Sequence, residues 1–302
     1  MKNFFKNAWL LATETFKKFQ ENDPVVYAAA IAFFTVFSLP SMLIVIVKGI
    51  GSFVSKDELQ QNIALQIEGL IGPASAEEIV KIIENRAVGD DNFFVNAIGI
   101  FFILFSATVI FVFLQKALNS IWSVKPKPKK GLVKFAMDRL LSFSIIIILG
   151  FLMLVSLALE ALLSFSKGFL QNLFSSYTVH VMDVANYLIS LVVISGIFAL
   201  IFKFLPDAKI RWKDVLVGAL VTGLLFTLGK FLIGVLLSNT NITSTYGAAG
   251  SLAGILVWVF YSSIILLVGA MFTRVYAANI GIEISPKKHS VRIETREIEK
   301  EN

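Results

Sequence analysis

One ammonium group, that of Lys230, interrupts the apolar stretch GLLFTLGKFLIGVLLSN (residues 223–239). A lysine at the middle of a membrane-crossing helix costs about 2.5–3.5 kcal/mol on insertion scales, so something must offset it. Three offsets are open: an anion held in a wet cavity, a structural carboxylate partner, or snorkelling toward headgroups. Spacing favours the inward side. Ala219, Gly223, Thr227, Lys230 and Gly234 fall at i, i+4, i+8, i+11 and i+15, one stripe of a helix. Small and polar residues mark the side of a crossing that meets other helices. Glu160, with Ser156 and Ser164 at i±4, is the carboxylate at similar depth. Lys230 and Glu160 are expected to face a shared polar cavity; a purely structural ion pair is the alternative.

A second set of charges lies in WSVKPKPKKG (122–131). Two prolines keep it extended. Lys125, Lys127, Lys129, Lys130 and Lys134 form a cluster that attracts anionic headgroups at about 1 kcal/mol per residue; its plainer role is to fix topology. Tyr246 and Gly247 open TYGAAGSLAG (245–254), whose Gly250 and Gly254 have the spacing of close helix approach. This stretch either packs or lines a substrate path. It is no phosphate loop, because no G-K-[ST] follows.

Catalytic signatures are missing: there is no G-x-S-x-G and no H-E-x-x-H. The chain has no cysteine, and its two histidines, His180 and His289, are far apart in sequence. Thiolate chemistry is excluded, and neither a His-based metal site nor any cofactor is expected. The chain is read as not an enzyme.

These residues need elements to position them. The chain has 302 residues, 56% hydrophobic and 16% charged, with mean hydropathy +0.78. A soluble domain is typically about 25% charged. Six segments reach the ~20 apolar residues that a ~30 Å hydrocarbon core demands. They lie near 25–47, 93–114, 140–163, 184–203, 215–237 and 251–273. The expected fold is an all-α integral membrane protein: six transmembrane helices forming one membrane domain over 1–278. Asp23-Pro24 supplies an N-cap and an N1 proline for the first crossing. Pro40 inside that crossing frees a carbonyl and kinks the helix, a break that lets it move.

Before the first crossing, Phe5, Trp9, Ala12, Phe16 and Phe19 recur at helical spacing among Lys2, Lys6, Lys17 and Lys18. That pattern predicts a helix lying in the interface. Between the first two crossings, Ser55/Glu58 and Ser75/Glu78 are capping boxes. They predict an extracytoplasmic helical hairpin over 55–88, joined at Gly72-Pro73. The tail 279–302, with mixed charge, reads as solvated and mobile.

Short-loop basic residues set orientation. The N-terminal segment, the second and fourth connections and the tail hold 21 of the 27 Lys and Arg residues. The first outer loop carries eight acids between Asp57 and Asp91. Both termini are expected to be cytoplasmic in a multi-pass bacterial inner-membrane protein. The basic surplus is then a topology signal, and no nucleic-acid partner is expected.

Four stretches carry a family resemblance. DPVVYAAAIAFFTVFSLPSMLIVI resembles the opening crossing of the YihY/BrkB family of bacterial inner-membrane proteins, formerly labelled ribonuclease BN-like. ALNSIWSVKPKPKKGLVKFAMDRLLSF resembles its Asn-x-Ile-Trp segment and basic loop. FLPDAKIRWKDVLVGALVTGLLFTLGKFLIGVLLSN is similar to its Leu-Pro-(Asp/Asn) turn, Trp-(Lys/Arg)-Asp entry and Gly-Lys helix. TYGAAGSLAGILVWVFYSSIILLVGAMF resembles its Tyr-Gly and final crossing. Together they cover most of 23–278. The chain departs at Phe33-Phe34, where the family often has Tyr-Tyr, and at Ala248-Ala249, where Ser-Leu or Ser-Val is common. The resemblance implies six crossings. Members are linked to serum resistance and export of lipid A precursors, which implies transport. The ribonuclease label finds no metal-ligand cluster or soluble basic groove here.

The leading expectation is a transporter or flippase-like exporter of an amphiphile or anionic lipid, with membrane lipids as partners. A non-transporting envelope scaffold, binding a protein partner through 55–88, is the alternative. A membrane-embedded hydrolase ranks third.

Overall fold

The fold is seen in a computed structural model. It describes residues 2–21, 23–50, 65, 81, 105, 108–127, 136–137, 139–141, 144–148, 177–239, 248–279 and 284–294; side chains 2–8, 39–50, 177–183, 185–186, 233–239 and 248–251 lie outside this description. The chain is mostly helical. Six long or medium helices are described: α1 (Lys2–Gln20), α2 (Pro24–Ile50), α3 (Val109–Ile121), α4 (Tyr177–Phe204), α5 (Trp212–Asn239) and α6 (Ala248–Asn279). Among the described residues, three stretches are long and apolar enough to cross a bilayer: Tyr187–Phe204, Trp212–Leu232 and Leu252–Asn279. Pro24–Ser38, Val109–Ile121 and Arg139–Ile148 are shorter apolar helices. The expected crossings near 184–203, 215–237 and 251–273 coincide with α4, α5 and α6, and α2 covers 25–47. Most of 93–114 and 140–163, and the hairpin 55–88, lie outside the described residues.

The middle of α6 is apolar nearly all round, which suits a helix enclosed by others. It packs against α5, α2, α1 and α3, and Leu267, Ala270 and Met271 are fully buried. On α2 the buried stripe is Ala28, Ile31, Ala32, Thr35 and Ser38, while Val25, Val26, Phe33 and Phe37 are exposed. In water such an exposed set would be an aggregation hazard; against acyl chains it is the ordinary outer face. Pro40 sits within α2, which continues through it to Ile50.

An aromatic chain crosses the core. Trp122 meets Phe202 edge-on at 6.2 Å between ring centres, Phe202 lies 6.2 Å from Phe198, Phe198 5.7 Å from Phe226, and Phe226 5.8 Å from Trp258. It ties the end of α3 to α4, α5 and α6. The α5–α6 crossing uses small residues. Gly218 lies against Thr273, Gly269 against Thr222, and Gly229 against the Tyr261 ring. Thr222 and Thr273 are fully buried, and each hydroxyl donates to its own helix four residues back, to Gly218 O (2.6 Å) and Gly269 O (2.7 Å). A buried hydroxyl is thereby satisfied without a partner helix.

α1 has the amphipathic form expected of it. Trp9 and Phe16 are exposed, while Thr15 is buried. Its Glu14 accepts a 3.0 Å hydrogen bond from Asn279 at the end of α6. Asp23 precedes α2 with a left-handed backbone (φ 46°), and its carbonyl accepts from Val26 N at 3.1 Å.

Two helices extend past the expected crossings. α3 runs to Ile121, because Ala117, Leu118 and Ile121 continue its buried face. α6 runs to Asn279, where α1 covers its end. Two short ribbons accompany the helices. Strands β1 (Val124–Pro126) and β4 (Ser290–Arg292) pair antiparallel, with Val124 opposite Arg292; β2 (Ala208–Lys209) pairs with β3 (Ser285–Pro286), Ala208 opposite Pro286. The tail is therefore not a free end over 284–294. It returns to the bundle and supplies one strand to each ribbon. Mixed charge concealed this, because the strands are only two and three residues long and carry no periodicity.

Candidate functional site: the polar node and the lysine-bearing wall

Both ribbons, the ends of α3, α4 and α6 and the start of α5 gather at one end of the bundle, here called the basic end. Its centre is Asp207, in the turn between α4 and α5, and 2% exposed. Pro206 precedes it and follows the last turn of α4, where a proline stops a helix without losing a needed donor. A buried carboxylate demands donors. Asn119 Nδ2 donates to Oδ2 at 2.9 Å, Gln115 Nε2 approaches the same oxygen at 3.4 Å, and His289 Nε2 lies 2.9 Å from Oδ1. Asn119 Oδ1 accepts from the Asp207 amide at 2.8 Å, so one amide grips both the backbone and the carboxylate. The Asp207 carbonyl accepts from Lys287 N (2.9 Å) and from Ser290 Oγ (2.7 Å).

This node was not anticipated as a site. Asn119 sits in the Asn-x-Ile-Trp segment, Asp207 in the Leu-Pro-Asp turn and His289 in the tail. Spacing cannot join residues 88 or 82 positions apart. The signals were the two quoted turns and the rarity of histidine. Among the described residues no group of three His, Cys, Asp or Glu side chains is placed to hold a metal ion.

The node is held by a second layer. Ser123 ends α3 with a left-handed φ of 50°, its amide donating to Ser120 O (3.0 Å) and its carbonyl accepting from Ile293 N (2.8 Å). Arg274 of α6 donates to Ile121 O. At the start of α5, Arg211 forms a two-pronged pair with Asp214, Nε to Oδ2 and Nη2 to Oδ1, both 3.0 Å. Asp214 is 2% exposed in the first helical turn, where the helix dipole favours a negative charge. Its hydrogen bonds to the Asp214 carboxylate raise the Arg211 pKa above its ordinary value.

The anticipated site residues divide into two groups. Gly223 is buried against Ser195 and Leu191 of α4. Thr227 is exposed, its hydroxyl donating to Gly223 O at 2.8 Å. Lys230 is exposed. It stands 18 residues beyond Trp212, about 27 Å along α5 at 1.5 Å per residue. Viewed down the helix at about 100° per residue, it falls between Ala219 and Gly223, both buried. Trp212, five turns earlier at the same angle, is also exposed, so this line of α5 is packed at the level of Ala219 and Gly223 and open at Lys230. Ser195 Oγ, at the Gly223 level, is buried with no hydrogen-bond partner among the described residues. Lys125 and Lys127 are exposed on and beside β1, and Lys127 N donates to His289 O at 2.8 Å. Gly234 and Pro40 are placed only by their helices. Glu160, Tyr246, Gly247, Lys129, Lys130 and Lys134 lie outside the described residues.

Comparisons with known proteins show the family. A family model, Virulence factor BrkB, matches residues 15–294. A UPF0761 membrane protein of Saccharophagus degradans is 25% identical over 270 residues, covering 87% of this chain and 58% of that protein. One of Idiomarina loihiensis is 24% identical over 218 residues (72% and 73%), and one of Psychrobacter sp. is 24% identical over 276 residues (89% and 48%). The chain thus spans roughly half to three quarters of the length of these relatives. No solved structure matches it. With the family match running from α1 through β4, the chain is a membrane protein and belongs to the Virulence factor BrkB family.

Proposed function

We propose that this protein is a transporter or flippase-like exporter of an amphiphile or anionic lipid, working in the bacterial cytoplasmic membrane with both termini inside and performing no bond chemistry of its own. The observation that carries the reading is Lys230: an ammonium in an apolar span, exposed at an angle between the buried Ala219 and Gly223. Its rise of about 27 Å from Trp212 supports a position toward the far leaflet. A second polar group supports the same face. Among the described residues Ser195 Oγ has no partner, where Thr222, Thr227 and Thr273 all satisfy theirs within their own helix. In the proposed cycle, lysines 125–134 gather anionic headgroups and Lys230 holds the negative charge during passage.

The test is flux of candidate lipids and ions in vesicles, wild type against Lys230→Met. Flux in the wild type that falls at least tenfold in the variant, with unchanged folding, supports the reading. Equal flux in both removes Lys230 from the mechanism, and flux in neither for any anionic lipid removes the transport reading.

A further inference from the structure

We infer that the α4–α5 turn and the returning tail together form a docking site for the phosphate headgroup of an anionic lipid in the leaflet at the basic end. Five lysines converge there. Lys203 closes α4, Lys209 lies in β2, Lys213 opens α5, and Lys287 and Lys288 follow β3. The β2–β3 ribbon sets Lys209 opposite Ser285 and Ala208 opposite Pro286, so the tail lysines arrive beside the turn. Lys287 N donates to Asp207 O at 2.9 Å and its Nζ to Phe204 O at 3.3 Å. The nearby acids do not cancel these charges at the surface. Asp207 is buried and held by the node, and Asp214 is buried and paired with Arg211.

Trp212 gives the depth of this cluster. It is 47% exposed, packs edge-on against Phe204 at 5.9 Å, and carries the Lys203 ammonium over its ring at 5.3 Å. An exposed tryptophan at the start of a crossing sits at headgroup level. Lys209, Lys213 and Lys288 are exposed. Positive charge in a loop suffices to orient a crossing, and it requires no convergence. Here the tail is brought back more than 70 residues later in the chain to add two cations beside the α4–α5 turn. A compact cationic cluster at that depth is complementary to a lipid phosphate.

The inference rests on the proposed function for its choice of anionic lipid as the ligand, but its test measures binding and not flux. The full chain, in zwitterionic detergent, is given phosphatidylglycerol or phosphatidylcholine, and bound lipid is counted by native mass spectrometry. Phosphatidylglycerol is expected to be retained and phosphatidylcholine lost. The triple variant Lys209→Gln/Lys213→Gln/Lys288→Gln should weaken retention more than tenfold, at roughly fivefold per lysine. The matching Lys→Arg triple, which keeps the charge, should retain the lipid. Unchanged retention in the Gln triple, or loss in a correctly folded Arg triple, overturns the site, as does equal retention of phosphatidylcholine. Displacement by soluble glycerol phosphate at matched concentration overturns the lipid as occupant. If Lys125→Gln/Lys127→Gln alone abolishes retention, the gathering role of 125–134 stands and this site does not.

Discussion

Thr273 of α6 stands where a β-carbon on Gly218 of α5 would have to go, and the relation is repeated in reverse by Thr222 and Gly269. Each helix offers a glycine and, four residues later, a threonine: GALVT in α5 and GAMFT in α6. The helices run antiparallel, so each threonine fills the other helix's notch. A side chain at either glycine must push the helices apart at their closest approach. Gly218→Ala and Gly269→Ala are each expected to cost about 1–3 kcal/mol, the range for overpacking a filled interior. Unfolding in mixed detergent micelles measures this. Gly196, with nothing near its missing β-carbon, should accept alanine without loss.

Removing Asn119 should damage the basic end more than its exposure suggests. Asn119→Ala takes one donor from a buried carboxylate and leaves the Asp207 amide without its acceptor. The expected cost is about 2–4 kcal/mol, from a charge-assisted bond plus a buried donor. The same unfolding measurement applies. A cost under about 0.5 kcal/mol would mean that water replaces the amide freely.

The ribbons predict a pattern of hydrogen exchange. The amides of Lys127, Lys287 and Ile293 donate to His289 O, Asp207 O and Ser123 O at 2.8–2.9 Å. They should exchange far more slowly than a solvated end, in step with one another, because they close the same structure. His289→Ala should accelerate all three. Exchange at unprotected rates in the wild type would mean that the tail stays detached.

The cysteine-free sequence permits a direct probe of the wall of α5. Lys230→Cys should react with a membrane-impermeant thiol reagent, whereas Leu220→Cys, exposed nearer the basic end on an apolar side, should not. Silence at both positions from either side of the vesicle would place Lys230 in lipid and leave it no contact with a polar path.

Among the described residues, apolar length in the sequence marked α4, α5 and α6. Each contains or overlaps its expected crossing, because a lipid-embedded backbone over such a run is satisfied as a helix. The ends were misjudged where polar residues belong to the fold. Gln115 and Asn119 looked like the start of a loop, yet they are buried in α3 and face Asp207. The stripe through Gly223 was legible as a packing side. Lys230 continues that stripe and is exposed, one residue past Gly229, which packs on Tyr261. The node was illegible for another reason: its members come from three distant segments, and each looks ordinary where it stands.

The returning tail also imposes an order of events on biosynthesis. When the α4–α5 turn leaves the ribosome, the Asp207 carbonyl and one carboxylate oxygen still await Lys287, His289 and Ser290, more than 80 positions further on. The described helices can be threaded into the bilayer before those residues are translated. Release of the chain past Ser290, rather than insertion of α6, is the step that closes the polar node, and a nascent chain arrested short of it would present an unfinished acidic socket to the cell's quality-control proteases.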